Sequence, residues 1–298
     1  MLSTFRPRFA WRLRTREVAL GPRTLIMGIL NVTPDSFSDG GQYFDTTTAL
    51  NHALKMLDDG ADILDLGGES TRPNAVPLTP AEEQIRVLPV LQAILAARPE
   101  ATVSIDTYHA ETARRAVDAG AEIVNDVSGH LWDPAMSATC TTLRCGAILM
   151  HTRGRPHEWR TLPPLKLNAV IPLVLADLKV RTQSAIEAGI ARDSIALDPG
   201  FGFGKAFDEN YPLLAHLDQL HSLGFPILAG VSRKSFLTRT LTANLLPPRG
   251  EADGSASSHV PTTAANTAAI LAGAHILRVH DVLPARQAAA IADRILAS

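Results

Sequence analysis

A single α/β domain of the (β/α)8 TIM-barrel class is what this 298-residue sequence predicts. Three observations point there. Eight short apolar runs alternate with amphipathic stretches, as parallel strands alternate with helices. The length suits one barrel, although two ordinary domains or a doubly wound sheet would also fit it. Most of the runs end in Asp, Asn, Arg, His or Gly, where a barrel collects functional side chains.

The elements follow in order. Residues 8–20 alternate weakly and are expected to form a small β-ribbon or a barrel floor. Residues 1–21 are therefore read as an N-terminal extension and 22–298 as the barrel. The first barrel strand is 24–30, which breaks at Asn31 into a polar loop, 31–44. A helix over 46–59 places Leu50, Ala53, Leu54 and Leu57 on one face and stops at Gly60. Strand two is 61–66, followed by a long loop. Thr79, Pro80 and Glu82 predict a capped helix start, running to about Ala97.

Strand three, 101–105, ends in Asp106 and leads to a helix over 109–118. Strand four, 121–124, ends in Asn125 and Asp126. A short helix is expected within 128–146. Strand five, 146–150, ends in His151, and a Pro-rich loop, 152–165, leads to a long helix over 167–188. Strand six, 194–197, ends in Asp198, and a helix over 208–223 follows a glycine-rich loop. Strand seven is 226–229. Residues 239–261 read as an exposed loop, 262–272 as an Ala-rich helix, 275–279 as strand eight and 283–296 as the closing helix.

Composition narrows the function. Hydrophobic residues make up 46% and charged residues 19%, an ordinary globular balance. The formal charge of −2 gives no basic surface for nucleic acid. Two cysteines, Cys140 and Cys145, make neither a disulfide framework nor a metal cluster, and a reduced compartment, the cytoplasm, is expected. The basic N-terminus lacks the apolar core of a secretory signal. It is read as a tail leading into an outer strand, a transit peptide being the other reading. No uncharged apolar run is long enough to suggest a membrane span.

The strand ends form three chemical subsets. Asp106, Asn125, Asp198 and Lys234 offer carboxylates, an amide and a cation, which match a flat nitrogen heterocycle with several N–H donors. Thr71, Arg72, Arg278 and His280 form an anion set, in which His280 is expected to add a charge-assisted donor. Asn31 with Asp35 offers hard oxygens for Mg²⁺, directly or through water. Met27, Ile105 and Met150 are candidates for the base of the pocket, core packing being the alternative. The glycine run DPGFGFGK, 198–205, is not a phosphate loop, because Ala206 follows the Lys. It is read as a tight wrap below the ring pocket, with Phe201 or Phe203 as a wall.

These residues lie in eight ordered motifs: MGILNVTPDSFSDGG at 27–41, DILDLGGESTRP at 62–73, SIDT at 104–107, NDVSG at 125–129, LMH at 149–151, DPGFGFGK at 198–205, GVSRKSF at 230–236 and RVHD at 278–281. Together they resemble the dihydropteroate synthase family over about residues 22–296. The resemblance implies a (β/α)8 barrel, a homodimer and a transferase. Its reaction joins 4-aminobenzoate to 6-hydroxymethyl-7,8-dihydropterin diphosphate with Mg²⁺ as cofactor, and sulfonamides compete for the aminobenzoate site. It implies pterin contacts from Asp106, Asn125, Met150, Asp198 and Lys234, and diphosphate contacts from Asn31, Arg278 and His280, with Asn31 nearest the metal. Asp35, Phe37, Thr71, Arg72, Pro73, Lys234 and Ser235 would form or border the aminobenzoate site and its loops. The expected catalytic set is Asp106, Asp198, Lys234, Arg278 and His280.

Two segments depart from the family pattern. The stretch 152–165 is richer in Arg, and 239–261 is longer and more polar. A pterin-dependent methyltransferase would share the ring pocket but has no diphosphate to hold. A non-catalytic pterin-binding homologue would not need Asn31, Arg278 and His280 together.

Overall fold

The computed structural model describes residues 6–33, 46–69, 77–244 and 256–298. Its chain order is β1 (Phe9–Arg12), β2 (Glu17–Leu20), β3 (Leu25–Asn31), α1 (Thr46–Asp58), β4 (Ile63–Gly67), α2 (Pro80–Ala97), β5 (Val103–Asp106), α3 (Ala110–Asp118), β6 (Ile123–Asp126) and α4 (Met136–Leu143). It continues with β7 (Gly146–Met150), α5 (Val170–Glu187), β8 (Ile195–Asp198), α6 (Asn210–Ala215), β9 (Leu228–Ala229), α7 (Ser235–Asn244), α8 (Ala256–Leu271), β10 (Ile276–Val279) and α9 (Val282–Leu296).

Eight parallel strands run in the spatial order β8-β7-β6-β5-β4-β3-β10-β9. A parallel bridge between Leu197 and Ile227 brings the two ends together, which closes the barrel around one axis. Strand side chains alternate between two cores. Ile26, Leu64, Leu66, Val103, Val124, Leu149, Leu197 and Leu277 face the helices in the larger cluster. Met27, Ile63, Ile123, Ile148, Ala196, Leu228 and Ile276 fill the barrel interior.

The ribbon β1–β2 is antiparallel and puts Trp11, Leu13 and Leu20 into that interior cluster. It is the floor of the barrel, and the Trp11 indole N–H is satisfied by Ser194 O at 2.9 Å. The floor forces a correction. Met27 belongs to it, beneath the site, and Ile105 lies in the sheet–helix layer, so neither lines the pocket base.

The helix signals were local and strong at α2. Thr79 Oγ1 accepts the Glu82 N–H, the Glu82 carboxylate accepts the Thr79 N–H at 2.8 Å, and Pro80 opens the helix. Two stretches differ from the sequence expectation. Residues 207–223 break into 3₁₀ turns, Phe207–Glu209 and Leu217–Leu223, around the short α6. Residues 239–244 and 256–261 lie within α7 and α8, with Pro261 inside α8, so these two parts of the expected exposed loop are helical. No helix among the described residues is long and apolar enough to cross a membrane.

Candidate active site

The C-terminal ends of the strands meet at one mouth. Parity explains which side chains arrive there. Two residues above each interior floor residue stands the next interior position: Asp65 above Ile63, Asn125 above Ile123, Met150 above Ile148, Asp198 above Ala196 and Arg278 above Ile276. The registers pair Asp106 with Asn125 and Met150 with Asp198.

Arg278 is the hub. Its Nε donates to Asp65 Oδ2 at 2.6 Å and its Nη2 to Asp106 Oδ2 at 2.5 Å. Asp65 Oδ2 also accepts Asn125 Nδ2 at 3.0 Å, and Asp65 Oδ1 is buried without a partner among the described residues. Burial works against the Arg278 charge, but Asp65 and Asp106 outweigh it and hold the group protonated above its usual range. Asp106 moves the other way. Burial drives its pKa up to about 7, against the pull of Arg278.

Asp198 is 4% exposed, and burial raises its pKa also. Its Oδ1 accepts the Gly200 N–H at 2.7 Å. Lys234 Nζ stands 4.1 Å from the Phe203 ring centroid, and burial, followed by Arg278, lowers its pKa to about 8. Met150 is buried against Gly200. The mouth therefore presents carboxyl groups, one amide oxygen and two cations, with Met150 among them.

His280 lies beside this set but not as a cation. Burial first, then Arg233 and Arg278, push its pKa down to about 3, so the expectation of a charge-assisted donor is corrected to a neutral imidazole. Asn31 closes β3 opposite Gly67, which has no side chain to fill the space between them. Among the described residues no three His, Cys, Asp or Glu side chains cluster as a metal site. Mg²⁺ needs no such cage where phosphates supply most of its oxygens, so a single Asn oxygen at the rim fits it. Ser235 is exposed at the start of α7. Asp35, Phe37, Thr71, Arg72 and Pro73 lie outside the described residues.

The glycine run is built as a wrap. Gly200 has φ +67°, and a Cβ there would fall 1.9 Å from the His151 carbonyl oxygen. Lys205 is buried and donates to Gly200 O at 2.7 Å, so it ties the loop to itself. Phe201 is fully buried in the outer core and is not available as a wall, whereas Phe203 lies under Lys234.

Comparison with known proteins bears on this arrangement. The sequence model of the family described as pterin binding enzyme matches residues 27–280. A dihydropteroate synthase of Bacillus subtilis is 42% identical over 286 residues, covering 95% of this chain and 93% of that protein. The chain belongs to the dihydropteroate synthase family of pterin-binding enzymes. Among solved family structures, a Xanthomonas albilineans dihydropteroate synthase with 4-aminobenzoic acid aligns at a TM-score of 0.84 and 38% identity, covering 99% of this chain and 100% of that one. A Yersinia pestis dihydropteroate synthase in complex with a sulfonamide drug aligns at 0.86 and 36% identity, covering 97% and 100%.

Within this dihydropteroate synthase fold, sequence reasoning left two residues without a role. Asp65 lies within the motif DILDLGGESTRP but was given no role as the partner of Arg278 and Asn125. The signal was present: a charged residue inside the apolar run ILDLG, with the parity of interior Ile63. Ser232, 3.0 Å from His280 Nδ1, carried no comparable signal.

Proposed function

We propose that this chain is a dihydropteroate synthase, which joins 6-hydroxymethyl-7,8-dihydropterin diphosphate to 4-aminobenzoate and releases diphosphate. The observation that carries the reading is the Asp106–Arg278–Asp65–Asn125 network beside Asp198 and Lys234 at one barrel mouth. It offers acceptors to the N–H edge of a pterin and cations toward its leaving group.

The chain's own groups do the following. Asn125 Oδ1, Asp106 and Asp198 accept from the ring and favour positive charge growing on it as the CH₂–O bond breaks. Arg278 and neutral His280 donate to oxygens of the departing diphosphate. Asn31 would hold Mg²⁺ beside those oxygens, where the ion supplies further positive charge. The aromatic amine, neutral at pH 7, then attacks the CH₂ carbon, and the acidic anilinium formed gives its extra proton to solvent, so no side chain is needed as a strong base or nucleophile. Ser235 and Lys234 would border the aminobenzoate. Exclusion of water protects the cationic ring from hydrolysis.

A homodimer is part of the proposal. Leu283, Ile291 and Ile295 are 47%, 67% and 47% exposed along one stripe of α9, and Val260 is 76% exposed on α8, the helix packed beside it. A second copy would cover them. A cytoplasmic location is supported by two free, buried cysteines.

The test is one assay. Purified protein receives the dihydropterin diphosphate, 4-aminobenzoate and Mg²⁺, and both products are measured while each component is omitted in turn. Dihydropteroate and diphosphate in equal amounts, and only with both substrates present, are expected. Binding of pterin without turnover would mark a silent homologue and overturn the proposal.

A further inference from the structure

His280 and the turn after β9 are held together by two ties. Ser232 Oγ accepts the His280 backbone N–H at 3.2 Å and lies 3.0 Å from His280 Nδ1. One residue further along each segment, Arg233 grips Asp281 with two N–H groups, at 3.1 and 2.6 Å. Arg233 takes a left-handed backbone, φ +56°, and its N–H is held by Thr262 Oγ1 at 3.1 Å. The pairing 232–280 and 233–281 is therefore a clasp between two strand-end segments.

The clasp decides where the imidazole proton sits. Ser232 is 3% exposed and has one proton. If His280 Nδ1 carried a proton, the serine oxygen would receive two N–H groups and its own proton would have no described acceptor. An unpaired buried donor is the more expensive arrangement. With the hydroxyl donating to Nδ1 instead, the Ser232 hydroxyl, Nδ1 and the His280 backbone N–H are all paired, and the ring proton moves to Nε2, which is not among the buried unpartnered atoms. No described residue meets Nε2, so it is the donor left for a ligand.

We propose that Ser232 is a positioning residue that fixes His280 as the Nε2–H tautomer and aims that N–H at the leaving diphosphate. The inference rests on the synthase reading only for the identity of the anion. Ser232 touches no reacting atom in this account; it acts through His280.

The experiment uses the full chain labelled with ¹⁵N-histidine, the His280 signals being identified by their loss in His280→Gln. Wild type is expected to show one tautomer, with a protonated Nε2 and a bare Nδ1, and Ser232→Ala a tautomer mixture. Titration with inorganic diphosphate is expected to give at least about tenfold weaker binding in Ser232→Ala. In a His280→Gln background the same substitution should cost less than twofold, which a general packing defect would not produce. A protonated Nδ1 in wild type, or equal loss in both backgrounds, would overturn the proposal. None of these readouts needs turnover. A protein that makes no dihydropteroate yet shows the tautomer and the coupling would sink the synthase reading and leave the clasp standing.

Discussion

Arg278 and Asp106, 172 residues apart in sequence, share a 2.5 Å hydrogen bond at the barrel mouth. The bond ties a group suited to the leaving anion to a group suited to the ring. Burial holds the Asp106 pKa near 7 even beside that guanidinium, so the pair is poised rather than fully neutralised.

Replacing Asp106 with Ala is expected to lower kcat/KM at least about a hundredfold, the range for removing one preorganised contact to a charged transition state. Steady-state kinetics with both substrates varied will measure it. Turnover near that of wild type would remove the argument that Asp106 favours charge on the ring.

Arg278→Ala should weaken inhibition by free diphosphate more than it raises the KM for 4-aminobenzoate. It should also destabilise the fold by roughly 3–5 kcal/mol, because Asp65 is fully buried and would lose its cation. Product-inhibition constants and urea unfolding separate the two effects.

Acid should cost stability through the buried histidines. Burial pushes His275 and His151 down to about 3 and His130 to about 4. The unfolded chain takes up protons below its ordinary value near 6.5, and the folded chain does not. Stability is therefore lost as pH falls from about 6.5 toward those lower values. Asp126, raised to about 6, and Asp106, raised to about 7, act in the opposite direction over about pH 7 to 4. Comparing wild type with His275→Gln isolates one group. The variant should lose about 1.4 kcal/mol less per pH unit between pH 6 and 4 by chemical denaturation. Parallel curves would refute the assignment.

Gly200→Ala is expected to be far more damaging than an ordinary loop change. The new Cβ would meet a backbone oxygen that cannot swing away, at a φ that L residues avoid. A loss of more than about 2 kcal/mol in unfolding, with weaker pterin binding, is expected. A pterin Kd within twofold of wild type would show that the wrap does not shape the pocket.

Trp11→Ala tests the floor. The indole is fully buried beneath the barrel, so its removal should cost about 3–5 kcal/mol by thermal or urea unfolding. Below the transition, kcat/KM should stay within about threefold, since the floor is a layer below the mouth. A larger kinetic loss would place Trp11 in the site's support.

Much of this was legible before any coordinates. The strand ends at Asp106, Asn125, Asp198 and Arg278 converge because parallel strands of one barrel must share a face, and their residue types announced ring and anion chemistry. The capped start of α2 could be read because capping is local. Partnerships were harder. Nothing within a few residues of Asp65 says that Arg278, 213 positions away, will claim it. Nor does a lone histidine declare its charge. His280 depends on burial and on neighbouring arginines that only the closed barrel supplies. Helix extent was missed at 239–244 and 256–261, because Pro261 and the polar residues around it mimic a loop.

The Asn125 amide has one further consequence. One of its two Nδ2 protons is held by an Asp65 oxygen, which fixes the amide against flipping and keeps Oδ1 an acceptor for the facing edge of an incoming molecule. An analogue that carries a bare ring nitrogen at that edge in place of an N–H would set lone pair against lone pair in a place water cannot relieve. Such an isostere, equal in size and shape, should be refused by orders of magnitude, and the discrimination originates in a side chain that never touches it.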